Sequence, residues 1–264
     1  MEEDKEMNFL DHVEVLRKHL FRIMFALLLC SIFAFVFRDW LFTEVILASS
    51  HSDFATFKAL CWLSHTLGLD ESLCIEDQNL KLQSIQMAGQ FTTSMWASFI
   101  IGFIVSFPYI LWELWKFILP GLKTTEQKYS KWIIVLATLT FFIGVLFGYY
   151  VIIPLAVNFF GTFQVSNLVE NIVSLNSYVS MVSNLALSCG LMFELPIIVY
   201  FLAKLGIITP EGMRKYRKHA FVATLVFAAI ITPPDFLSQV LVALPVWLLY
   251  ELGILIAKRT LKNA

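Results

Sequence analysis

Long uncharged stretches alternate with short charged ones along this chain. No Asp, Glu, Lys or Arg occurs from Leu82 to Trp112, from Trp132 to Val169 or from Phe236 to Tyr250. A hydrocarbon core about 30 Å thick is crossed by roughly 20 apolar helical residues. The first two runs exceed that length, so the pattern predicts a polytopic membrane protein. Four spans are predicted over Leu20–Phe37, Thr92–Trp112, Lys131–Ile153 and Tyr178–Ala203. Two short ones follow, His219–Thr232 and Phe236–Ala257, read as spans that thin the bilayer locally. The predicted fold class is an all-α membrane protein with six transmembrane helices, forming one integral membrane domain over residues 1–264.

The polar segments have patterns of their own. Asn8 to Leu20 is predicted to be an amphipathic helix lying in the membrane surface. Phe9, Val13, Leu16 and Leu20 recur at helical spacing, with Asp11, Glu14 and Lys18 on another face. Arg22, near the start of the first span, can reach the headgroups. Arg38 to Lys81 is the longest polar stretch. Its apolar content (Phe54, Phe57, Leu60, Trp62, Leu67, Leu69) predicts an ordered outer cap. Pro154 is predicted to end the third span, ahead of a weakly polar loop reaching Asn176. Thr209-Pro210-Glu211 is a helix start: cap, proline in the first turn, then an acid. Thr232-Pro233-Pro234-Asp235 predicts a tight reversal, with Asp235 as a helix cap.

Charge adds the orientation. Only 15% of residues are charged and 58% are hydrophobic, against about 25% charged in soluble domains. Of 19 Lys and Arg, Arg38, Lys58 and Lys81 lie in the outer cap. The other 16 lie in the N-terminal segment, the loops at 113–131 and 204–218, and the C-terminal tail. Positive residues mark the cytoplasmic side, so both termini and those two loops are predicted to be cytoplasmic. The N-terminus, MEEDKEMNFLDHVEV, lacks the pattern of a cleaved leader, and the first span is expected to be retained. Cys61 and Cys74 share the outer loop and can close a short disulfide in an oxidising compartment. Cys30 and Cys189 lie in apolar spans and read as buried hydrophobes.

The chain carries no zinc, nucleophile-elbow or phosphate-loop motif, and its five histidines lack metal-ligand spacing. Neither an enzyme nor a metal site is predicted, and nothing calls for a cofactor or a nucleic acid. Glu194 is the most informative residue. It lies ten positions before Lys204, about 15 Å of helix and so near mid-membrane. A carboxylate there needs a partner, a proton or a wet cavity. Pro196 cannot donate to the Met192 carbonyl and, with Gly190, predicts a kink beside it. Glu194 is either a working group or a protonated acid bonded to a neighbouring helix. Glu126 likewise admits two readings: part of a docking site, or an acid favouring a helix N-terminus capped by Thr124 and Gln127. Glu113, between Trp112 and Trp115, reads as an interfacial residue paired locally with Lys116. Asp11 and Glu14 read as a solvated helix face, and Glu251 as a partner for an Arg or Lys.

Several stretches together resemble one family. Phe9-Leu10-Asp11-His12-Val13-Glu14-Val15-Leu16-Arg17 resembles the N-terminal "HLEELR" signature of TatC, the multispanning subunit of the twin-arginine protein translocase. Ser106-Phe107-Pro108-Tyr109 through Pro120 and Glu126 resembles its first cytoplasmic loop. Phe193-Glu194-Leu195-Pro196, then Thr232-Pro233-Pro234-Asp235 with Ser238 and Gln239, and finally Glu251 resemble later motifs, in order. The resemblance implies a concave helix bundle in the bacterial cytoplasmic membrane. It implies a receptor that binds twin-arginine signal peptides of folded proteins on the cytoplasmic face. It implies transport driven by the proton-motive force within an oligomeric complex, with single-span TatA and TatB partners. Signal-peptide contacts are expected at Glu126, Glu14, Asp11 and Leu122, since a guanidinium pair needs carboxylates in fork geometry. Glu194 and Gln239 are expected as intramembrane polar contacts, and Pro196, Pro233, Pro234 and Asp235 as structural motif residues. The chain departs from the pattern at Val15, where the signature has its second glutamate, and at Ile46-Leu47-Ala48-Ser49, which lacks a proline. The alternative function is a secondary transporter of a small solute, with Glu194 as coupling carboxylate.

Overall fold

The computed structural model describes residues 9–51, 53–67, 74, 81–118, 130–164, 166, 171–204, 206–231 and 236–262. The described chain is helical almost throughout. The α-helices longer than one turn are α1 Phe9–Val36, α2 Ala55–Leu67, α3 Gly89–Ile118, α4 Ser130–Phe147, α5 Ile153–Thr162, α6 Leu175–Phe193, α7 Leu195–Lys204, α8 Pro210–Lys215, α9 Arg217–Ile231 and α10 Phe236–Lys262. Two short strands, β1 Leu82–Gln83 and β2 Val173–Ser174, pair in parallel with Leu82 opposite Val173. Among the described residues, four stretches are long and apolar enough to cross a membrane: Val13–Val36, Gly89–Ile118, Trp132–Thr162 and Leu175–Lys204. Phe25, Ile32, Phe33 and Val36 of α1 are all more than 60% exposed. In hydrocarbon that face is solvated by lipid tails as apolar as itself.

Three expectations are corrected. The surface helix over residues 8–20 is not a separate element: α1 continues through Leu20 to Val36 without a break. No glycine or proline lies in that range, so nothing interrupts the backbone ladder. Secondly, Pro154 does not end its span. The chain widens into a π-helical turn at Gly148–Ile152, and α5 carries on to Thr162 with Pro154 in its first turn. A wider turn followed by a fresh helix start accommodates a residue that lacks the N–H. Thirdly, the loop assigned to 113–131 begins inside a helix, because α3 runs to Ile118.

The chain divides into two compact units, residues 1–37 with 98–139 and residues 38–97 with 140–264. In the first, α1 and α3 touch backbone to backbone: a Cβ at Gly102 would lie 2.7 Å from Ser31 Cα. Small residues allow such approach where no hydrophobic force drives helices together. Ala34, Phe107, Ile110 and Trp115 are buried in this unit. In the second unit, the cap sits on an aromatic cluster. Phe54 lies 5.4 Å from Tyr149 and 5.6 Å from Tyr150, centroid to centroid. Tyr149 donates to the Val45 carbonyl at 2.8 Å and Tyr178 to that of Ile46 at 3.0 Å. Farther along, Ala203, Met213, Ile254 and Ala257 form a core between α7, α8 and α10. Thr209 accepts from the Gly212 amide at 3.1 Å, capping α8.

Candidate functional site

The first unit buries a carboxylate where α1 meets α3. Glu113 is 2% exposed. His19 Nδ1 lies 2.5 Å from its Oε2, and Tyr109, one turn earlier on α3, donates to its Oε1 at 3.2 Å. Arg22 Nη1 and Lys116 Nζ each stand 3.9 Å from a carboxylate oxygen. Lys116 also lies 3.4 Å over the Trp112 ring. The local pairing with Lys116 read from the sequence is present, at 3.9 Å. The shortest contact of Glu113 is to a histidine 94 residues away, which the sequence reading did not include, and the residue is buried within the protein. A carboxylate removed from solvent needs donors at both oxygens, and here it has them. On α1, Val15 and His19 are one turn apart, so they share a face. Glu14 points elsewhere: it is exposed and pairs with Lys18 at 2.9 Å.

In the second unit, Glu194 occupies the break between α6 and α7. Its own N–H turns to the carbonyls of Leu191 and Met192. Pro196 follows in the first turn of α7 and is buried. Glu194 is 7% exposed, and Thr140 of α4 donates to its Oε1 at 3.3 Å. Gln239 of α10 donates to the Leu225 carbonyl of α9 at 3.1 Å. The described bonds of Glu194 and Gln239 thus go to different groups. Thr140→Val is expected to destabilise the chain by about 1–3 kcal/mol, the range for a buried acceptor that loses its donor. Thr140→Ser should restore stability. Equal thermal midpoints for the two variants would remove Thr140 from the support of Glu194. Glu251 of α10 receives a fork from Arg217 of α9, with Nε 2.5 Å from Oε1 and Nη2 on Oε2. Such bidentate pairs fix orientation as well as charge.

In the cap, Cys61 and Cys74 form a disulfide, with Cα atoms 4.3 Å apart. His65 follows Cys61 by one helical turn, and its Nε2 stands 4.0 Å from Cys74 Sγ. Ligand atoms of these three residues lie within 4.8 Å of one another. Both sulfurs are spent in the disulfide, so no thiolate remains to hold a metal.

The family described as Sec-independent protein translocase protein (TatC) matches residues 11–245. The chain belongs to the TatC family. A TatC protein of Blattabacterium sp. subsp. Periplaneta americana (strain BPLAN) is 39% identical, over 97% of this chain and 96% of the relative. TatCy of Bacillus subtilis (strain 168) is 32% identical, over 98% and 92%. A crystal structure of a twin arginine translocase receptor, TatC, superposes with a TM-score of 0.71 at 30% identity, covering 94% of this chain and 99% of that one. TatC is a protein translocase family and not an enzyme family. Membership makes this chain a multi-pass membrane component of the Tat protein-transport machinery.

Against the family resemblance, the site residues distribute unevenly. Leu122, Glu126, Pro233, Pro234 and Asp235 lie outside the described residues, as does the Asp11 side chain. Of the expected signal-peptide contacts, Glu14 alone has a described side chain, and it faces outward. Sequence reasoning missed the His19–Glu113 pair. The available signal was the phase of α1, which puts His19 on the same face as Val15 and not with Glu14 and Lys18.

Proposed function

We propose that this chain is the receptor and core subunit of a twin-arginine translocase. It has six spans arranged as a concave bundle in the bacterial inner membrane, with both termini in the cytoplasm. It binds twin-arginine signal peptides of folded proteins at the cytoplasmic face, with Glu126, Glu14, Asp11 and Leu122 as contacts. It acts with TatA- and TatB-like single-span partners in an oligomeric complex, and export draws on the proton-motive force. The observation that carries this reading is the likeness, over nearly the whole chain, to a solved twin-arginine receptor. The placement of 16 of 19 Lys and Arg in segments assigned to one side supports the orientation. Glu194, held at a helix break by Thr140, is proposed as an intramembrane polar contact, and Gln239 as a second. No comparison supports the small-solute transporter.

The test is binding of a twin-arginine signal peptide to the chain in nanodiscs, with a twin-lysine peptide as control. Selective binding is expected, and Glu126→Ala should weaken it about tenfold to a hundredfold, the range for one charge-assisted hydrogen-bond pair. Selective binding that survives Glu126→Ala would move the site to Glu14 or Asp11. Failure to discriminate the peptides, even with a TatB subunit present, would overturn the receptor reading.

A further inference from the structure

We propose that Glu113, through His19, is a positioning residue for the signal-peptide docking site: the pair clamps the acidic end of α1 to the last turns of α3. The inference rests on the docking reading above and adds a residue to it.

The N-terminal end of α1 has little packing of its own. Val13, Glu14, Leu16, Arg17 and Lys18 are all exposed. Exposed side chains contribute almost nothing to fixing a helix. The His19–Glu113 bond is the bond between α1 and α3 nearest to that end among the described residues. It joins an imidazole nitrogen to a carboxylate oxygen, and hydrogen bonds to an ionised acceptor are stronger than those between neutral groups. Phe117, one turn beyond Glu113, adds an edge contact to His19 at 6.2 Å.

Burial decides the role. At 2% exposure, Glu113 is out of reach of a peptide at the surface. Its oxygens are already taken by His19 and Tyr109, with Arg22 and Lys116 completing the charge around it. It therefore acts through what it holds. On one side it holds the helix that carries Asp11 and Glu14. On the other it sits close to the end of α3 at Ile118, from which the chain runs on to Glu126. Carboxylates meant to take two adjacent guanidinium groups must be set at a fixed spacing, since a small misplacement costs much of a bidentate contact. One bond ties α1, which carries Asp11 and Glu14, to α3, from whose end the sequence continues to Glu126.

The experiment measures peptide affinity and thermal midpoint together, in nanodiscs, for Glu113→Gln, His19→Leu, His19→Arg and the double change Glu113→Gln/His19→Leu. Glu113→Gln keeps the shape and the Tyr109 bond and removes the charge. The expected result is an affinity for the twin-arginine peptide about tenfold weaker in Glu113→Gln and His19→Leu, measured on folded protein. The double change should cost no more than either single one, because the two residues act as one unit. His19→Arg, which supplies a donor to the Glu113 carboxylate, should restore most of the affinity lost in His19→Leu. A lowered midpoint with unchanged affinity of the folded fraction would overturn the proposal, since that is what a merely structural bond predicts. Additive losses in the double variant would also overturn it. The docking reading fails separately, if the unaltered chain does not distinguish twin-arginine from twin-lysine peptides. Selective binding by the unaltered chain that is retained in all four variants would remove the clamp alone.

Discussion

Replacing Gly144 with leucine is expected to abolish accumulation of folded protein in the membrane. A Cβ at Gly144 would stand 2.6 Å from the carbonyl oxygen of Cys189 and 2.8 Å from Phe193 Cβ. The first of these is backbone and cannot rotate away. Cys189 is 2% exposed, and its side chain packs on Gly148, so α6 has no room to retreat. Overpacking a close contact costs about 1–3 kcal/mol and sometimes more. For leucine against backbone the cost should reach or exceed about 3 kcal/mol, a large part of a total stability of about 5–15 kcal/mol. The damage reaches the carboxylate too. Thr140, one turn before Gly144 on α4, donates to Glu194, the residue after Phe193. Prying α4 from α6 separates that donor from its acceptor. Gly144→Ala should show the same defect in milder form. Leu146→Ala, at a position 52% exposed on the same helix, should unfold at the temperature of the unaltered chain. A folded Gly144→Leu protein with an unchanged thermal midpoint would mean that α4 and α6 do not touch there.

The second large effect is expected from Cys61→Ser combined with Cys74→Ser. The disulfide closes a segment with a sequence separation of 13. Opening a loop of about that size releases roughly 3 kcal/mol of unfolded-chain entropy. The loss should be confined to the cap. Phe54 and Phe57, at the start of α2, pack against each other, and Phe54 packs on Tyr149 and Tyr150. Thr56 donates to the Tyr150 carbonyl. That end stays anchored while the far end of the segment is freed. Hydrogen exchange and proteolysis should therefore rise over residues 61–81 and stay unchanged over α4 and α6. Thiol counting gives an independent check. Denatured without reductant, the unaltered chain should expose two thiols, Cys30 and Cys189, and after reduction four. Four thiols before reduction would show that the bond does not form.

Elements governed by local chemistry could be read in advance. The runs that become Val13–Val36, Gly89–Ile118, Trp132–Thr162 and Leu175–Lys204 are visible because crossing lipid is a demand on each helix separately. Pro196 announces the break at Glu194, because a missing N–H acts within one turn. Thr209 announces the start of α8 for the same kind of reason. The continuation past Pro154 was not legible, because a π-turn depends on how the widened turn packs. Nor was the unbroken passage of α1 through Leu20, since amphipathic spacing says which face is apolar and not where a helix bends.

Sequence by itself determined that this is a helical membrane protein, which runs are apolar enough to cross, and that a carboxylate stands two residues before a proline in the fourth of those runs. Only the tertiary structure decided what the acids do. It gave Glu113 to His19 across 94 residues of chain, Glu194 to Thr140, and Glu251 to Arg217. The physical reason is that apolarity is a property each segment carries alone, whereas a buried charge is settled by whichever donor folding brings within reach.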